Sequence, residues 1–120
     1  MTADQFRHLA LSFAGVEEHA HHHHPDFRVN GKILGSLGYP EKTRAIVILT
    51  PEQQAEFLHD HPEVFAPAAG AWGRNGSTTI ALPKATDTIL QPAVQSAWQR
   101  ALSAAATKKN AKKKKKPPSR

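Results

Sequence analysis

The side chains with chemical capacity lie in three groups. Residues 19–24 read HAHHHH, five imidazoles in six positions. Imidazole nitrogens ligate borderline metals and exchange protons near neutrality. On a strand, His19, His21 and His23 would share one face, with His22 and His24 on the other. An H-x-H pair supplies two ligands, whereas a structural zinc site needs four and a catalytic one three plus water. A third ligand would have to come from Asp26, His59 or His61. The favoured reading is a partly exposed histidine-rich strand or loop with one imidazole hydrogen-bonded to Asp26. No metal or other cofactor is expected.

The second group is basic and aromatic. Arg28 and Lys32 flank Asn30-Gly31, and Trp72-Gly73-Arg74 precedes Asn75-Gly76. Asn-Gly suits a two-residue hairpin turn. Such a tip can enter a groove, with Arg and Lys on phosphate oxygens or a guanine edge. Trp72 could stack on a base or sugar. The competing arrangement pairs Arg28 with Glu17 or Glu18, leaves Lys32 solvated and plugs Trp72 into the core, where large aromatics usually reside. The third group is the run Lys112, Lys113, Lys114, Lys115 and Lys116. It cannot read sequence, but each phosphate it neutralises steepens the log–log salt dependence by about 0.9. It would serve equally as a solubilising extension. An anionic membrane surface is less apt, because no apolar anchor accompanies the lysines.

A different use of these residues is a pocket for a small ligand or a protein, lined by His22, His24, Asp26, Trp72 and Arg74. It requires Trp72, Arg74 and the side chains near Phe27 to converge. No arrangement points to catalysis. There is no G-x-S-x-G, Walker or H-E-x-x-H pattern. Gly70, Gly73 and Gly76 are not followed by Lys-Ser/Thr, and Glu17 and Glu18 would diverge on a strand. The expectation is a non-enzymatic protein.

Composition divides the chain. Residues 1–106 hold 8 Lys/Arg against 10 Asp/Glu, while residues 107–120 hold 8 Lys/Arg and no acid. The positive charge therefore belongs to the tail, which is too polar to repay its ordering entropy and is expected to be disordered. Residues 1–106 form one domain large enough for its own core. Cysteine is absent, so disulfides and thiolate sites are excluded. The first residues lack the basic-then-apolar pattern of a secretory signal, and no apolar run approaches a membrane span. A cytoplasmic protein is expected.

The elements that must carry these groups follow from periodicity. Phe6, Leu9, Ala10 and Phe13 make a helical stripe over residues 2–13, with Thr2 and Gln5 at capping-box spacing. Residues 18–23 read as an edge strand or loop. Phe27-Arg28-Val29 leads into the Asn30-Gly31 turn, and residues 32–38 return with Ile33, Gly35 and Leu37 on one face and Leu34 on the other. A turn over residues 39–42 precedes RAIVIL at 44–49, a central strand. Thr50-Pro51-Glu52 opens a helix that stops before Pro62. Residues 63–66 suggest a short strand, 67–76 a loop and 77–82 a strand. A last helix starts near Thr86 or Asp87, becoming regular near Gln91 with Pro92 in its first turn. Its stripe is Leu90, Val94, Ala97, Trp98, Ala101, Leu102 and Ala105. Hairpin-length connections imply an antiparallel sheet with three packed helices, an α+β fold.

Several motifs carry a family resemblance in their order and spacing: Gly15-Val16-Glu17-Glu18 after the first helix, His24 through Lys32 (HPDFRVNGK), Leu49-Thr50-Pro51-Glu52-Gln53, Pro62-Glu63-Val64-Phe65, Trp72-Gly73-Arg74 and Ala97-Trp98. Together they resemble the MmcQ/YjbR family across nearly all of residues 1–106. The resemblance implies the α+β fold called double-wing or CyaY-like. It also implies a DNA-binding, non-enzymatic role. Arg28, Lys32, Arg74 and the lysine run are then the expected contacts to nucleic acid. The tail lies outside the resemblance.

Overall fold

A computed structural model of the chain describes residues 1–21, 24–38 and 42–115, with side chains at residues 1–20, 24–38 and 42–104. Helix α1 (Ala3–Leu11) begins with a complete capping box: Thr2 Oγ1 accepts from Gln5 N–H, and Gln5 Oε1 accepts from Thr2 N–H. Strands β1 (Glu17–His21), β2 (His24–Val29), β3 (Lys32–Leu37) and β4 (Arg44–Ile48) follow as an antiparallel meander. Helix α2 (Pro51–Asp60) repeats the capping logic with Thr50 and Gln53, and Pro51 needs no N–H partner in its first turn. Then come β5 (Phe65–Pro67), α3 (Gly70–Arg74), β6 (Ser77–Ala81), a 3₁₀ turn at Leu82–Lys84, and α4 (Asp87–Lys115).

The sheet order is β1-β2-β3-β4-β6-β5, with every neighbouring pair antiparallel. Strands β1 and β5 are its edges. One face carries Phe27, Leu37, Ala45, Val47, Thr78, Ile80 and Phe65, all buried. Phe6 of α1 meets Phe27 edge-on with ring centroids 5.9 Å apart. From α4, the residues Leu90, Ala93, Val94, Ala97 and Ala101 are buried in the same cluster. The fold is thus α+β, with helices on an antiparallel sheet.

Three details depart from simple periodicity. First, Phe27 pairs with Gly35 but Arg28 pairs with Ile33, so Leu34 is an extra residue in β3. This bulge turns Leu34 inward, fully buried, and leaves Ile33 38% exposed. Strict alternation would group Ile33 with Gly35 and Leu37 and set Leu34 on the other face. Second, Asn75-Gly76 is not a hairpin. Asn75 has φ −92° and ends α3, whereas the Asn30-Gly31 turn has φ 51° and 80°, the positive pair a type I′ turn requires. Third, α4 is regular from Asp87. Thr86 caps it through Ile89 N–H, and Pro92 falls in the second turn. Pro92 would have bonded Thr88, and both are exposed, so water can reach the freed carbonyl.

At the C-terminal end the α4 backbone is helical to Lys115. Alanine and lysine are strong helix formers, and lysines suit the negative end of the helix dipole. Lys112, Lys113, Lys114 and Lys115 therefore lie on this helical backbone. Lys116, His22 and the expected turn at 39–41 lie outside the described residues.

The bulge makes a prediction opposite to that of alternation. Leu34→Ala should lower stability by about 2–5 kcal/mol, and Ile33→Ala by about 1 kcal/mol or less. Urea denaturation of the two variants measures the difference.

Candidate functional site

Strand register fixes where each candidate lies along the sheet. One end, called here the turn end, holds the Asn30-Gly31 turn, the β4–α2 junction and the α3–β6 junction. The last two are joined by Leu49 N–H donating to Gly76 O at 3.0 Å. Lys32 and Arg74 both lie at this end, on β3 and beside β6. Those strands stand two positions apart in the sheet, about 10 Å at normal strand spacing. Among the described residues neither cation forms an ion pair.

Arg28 behaves differently. Its Nε donates to Asp26 Oδ1 at 2.8 Å and its Nη2 to Asp26 Oδ2 at 3.3 Å. The hydrogen bond to Asp26 raises the Arg28 pKa above its ordinary value. Glu17, opposite Arg28 in the register, and Glu18, bound to Arg7 at 3.0 Å, are not its partners. Asp26 is itself buried. Arg28 is therefore spoken for within β2, because residues two apart on a strand share a face. Of the three expected cations of the body, Lys32 and Arg74 remain unpaired among the described residues and Arg28 does not.

Helix α4 crosses the buried face from the opposite end to the turn end. Its first turn follows the β6 exit, and by Arg100 it has reached the place where β3 and β4 part. There Arg100 Nε donates to Ile48 O at 3.0 Å and Nη2 to Ile33 O at 3.1 Å. Burial lowers the Arg100 pKa from its ordinary value. Nearby, Trp98 Nε1 donates to Ala14 O at 2.9 Å and stacks at a tilt on Phe13, centroids 5.5 Å apart. Sequence reasoning gave Arg100 no role. The available hint was a guanidinium set next to buried Ala101, on a helix whose neighbouring turns are apolar. Beyond Arg100 the helix continues to Lys115, adding about 20 Å at 1.5 Å per residue. The lysine-bearing backbone thus leaves the body from the end that holds Lys32 and Arg74.

Helix α3 is a tight fitting. A Cβ on Gly73 would lie 1.8 Å from Ala68 O, so only glycine lets α3 lie against that backbone. Gly76 has φ +112°, and its Cβ would lie 1.8 Å from Leu49 O. Buried Gln54 of α2 secures the arrangement: its Nε2 donates to Gly73 O at 3.0 Å, Ser77 O at 3.1 Å and Thr78 Oγ1 at 3.2 Å. Trp72, expected to plug the core, is instead 66% exposed. Gly73 takes the buried position of α3 against Ala68, and Trp72 is left on its exposed side.

The proposed pocket does not assemble. His24 and Asp26 are on β2 and Trp72 and Arg74 precede β6, with β3 and β4 between them. His24 also lies toward the opposite end of the sheet, and Phe27 is sealed in the core. Two surface grooves, one holding Gln5, His8 and Asp87 and the other Glu56, Phe57 and His59, include none of the pocket residues. On the uncovered face, His19 pairs across from Asp26 and His21 from His24. Among the described residues no group of three His, Asp or Glu side chains is placed to hold a metal ion.

The YjbR family model matches residues 11–100, three quarters of the chain. The chain belongs to the YjbR family. A crystal structure of the Deinococcus radiodurans protein DR2400, described as a DUF419 domain, is similar in fold, with a TM-score of 0.66. It is 16% identical in sequence, and the match covers 81% of this chain and 75% of that one. At that identity the likeness speaks to fold alone. No curated protein matches. No helix among the described residues is long and apolar enough to cross a membrane.

Gln54→Leu tests the α3 anchor in this YjbR protein. It leaves Gly73 O and Ser77 O without this donor and should cost about 1–3 kcal/mol. Chemical denaturation reads the loss. Amide exchange at Asn75 and Gly76 should quicken more than exchange in β3.

Proposed function

We propose that this protein binds nucleic acid without catalysing a reaction, gripping the phosphate backbone with the cations gathered at the turn end. The observation that carries this reading is the direction of α4. Its backbone takes six lysines, between Lys108 and Lys115, off the same end of the sheet that presents Lys32 and Arg74. Cations spread evenly over a surface give a weak general field, whereas cations clustered on one side raise the local concentration of a polyanion and speed its capture.

The body has a small excess of acid over base, which argues against a broad duplex-reading face. Affinity would come mainly from the extension, and orientation from Lys32 and Arg74. Arg28, tied to Asp26, would act through the shape of the hairpin and not as a phosphate ligand. Low sequence specificity follows, because phosphate contacts position a protein without reading bases. The family resemblance favours DNA in the cytoplasm as the partner, and RNA offers the same phosphate chemistry.

Deleting residues 107–120 should weaken binding to a DNA duplex strongly and flatten its log–log salt slope, by about 0.9 for every phosphate no longer neutralised. Lys32→Glu with Arg74→Glu in the full chain should weaken binding further without unfolding the protein. Fluorescence anisotropy across a salt series measures both. Unchanged affinity and slope in the truncated chain would remove the extension from the interface.

A further inference from the structure

We infer that Trp72 is a stacking platform for an unpaired base, which makes single-stranded nucleic acid the preferred partner of the turn end; this rests on the function proposed above. Trp72 is 66% exposed, the most exposed of the large apolar side chains among the described residues. It makes no hydrogen bond and no ring contact among them. Its backbone, however, is held firmly. Asn75 N–H bonds Ala71 O at 3.0 Å and Trp72 O at 3.1 Å, Gly76 N–H bonds Gly73 O at 3.1 Å, and Gln54 fixes Gly73 O. An indole displayed on a fixed backbone is prepared for a planar ligand, since little freedom is lost on stacking.

The surroundings favour a base over a protein surface. The neighbours Ala69, Gly70 and Ala71 are exposed and small, so the ring stands clear. Leu11 and Ile33, the other exposed large apolar residues, lie on α1 and β3 and not on α3. Trp72 is thus the one exposed large apolar side chain on α3 among the described residues. Exposed Arg74 lies two residues away, able to take the adjoining phosphate. In a duplex each base is already stacked on its neighbours, so the indole has no face to cover. In a single strand every base offers one, whatever its identity.

The test compares wild type with Trp72→Ala, a change at an exposed side chain whose folding is checked by circular dichroism. Three probes are titrated at fixed salt: a dye-labelled oligo-dT, a duplex of matching length and inorganic polyphosphate. Wild type should bind the oligo-dT more tightly than the duplex. Trp72→Ala should weaken oligo-dT binding about 5- to 150-fold and leave polyphosphate binding unchanged. In a Trp98→Phe background Trp72 is the sole indole, and its emission should be quenched by oligo-dT and not by polyphosphate. Equal oligo-dT affinity in wild type and Trp72→Ala would overturn the inference and leave Trp72 to a protein partner, while polyphosphate binding would still uphold the cationic grip. Equal losses for duplex and single strand would overturn the preference. Failure of wild type to bind any of the three would overturn the proposed function and this inference together.

Discussion

The packing of α4 on the sheet is the constraint from which most of the rest follows. Leu90, Ala93, Val94, Ala97 and Ala101 must leave water together, and the sheet face holding Phe27, Val47 and Ile80 is where they can do so. Because β6 delivers the chain to one end of that face, the helix can only run toward the other. Arg100 then engages Ile33 O and Ile48 O where the β3–β4 ladder ends. The guanidinium satisfies carbonyls that the diverging strands leave open, and so fixes the height at which the helix leaves the body. The position of the lysines is thus set by apolar burial some distance away from them.

Much of the frame was legible in the residues. Capping at Thr2 and Thr50, Pro51 in the first turn, the Asn30-Gly31 hairpin and the RAIVIL core strand are local signals, and each appears where expected. Two of the misreadings share one cause, a longer-range contact overriding a local rule. The bulge at Leu34 reverses two side chains. Asn75-Gly76 becomes a helix end because Gly73 and Gly76 press against the backbone at Ala68 and Leu49. The third is local: the Thr86 cap makes α4 regular from Asp87, ahead of Pro92.

The candidate site was legible in kind and less so in arrangement. Lys32, Arg74 and the lysine run could be picked out by residue type. Their gathering at one end could not, since it depends on strand order and on the course of α4. Arg28 looks equivalent to Lys32 from its flanking position, yet Asp26, two residues before it on the same face, claims it. The general habit of large aromatics assigns Trp72 to the interior. Only the inward turn of Gly73 reveals the reverse, and nothing in the dipeptide Trp-Gly announces it.

The two margins of the sheet carry a further consequence. The β1 margin is lined with Glu17, Glu18, His19 and His21, and β5 is three residues long and ends in Pro67. A foreign strand laid along the first would meet the carboxylates of Glu17 and Glu18. Along the second it would find little length to hold and a proline that donates no hydrogen bond. Both borders thus discourage the sheet from growing by accretion, so that copies of the chain can crowd together without zipping into fibrils.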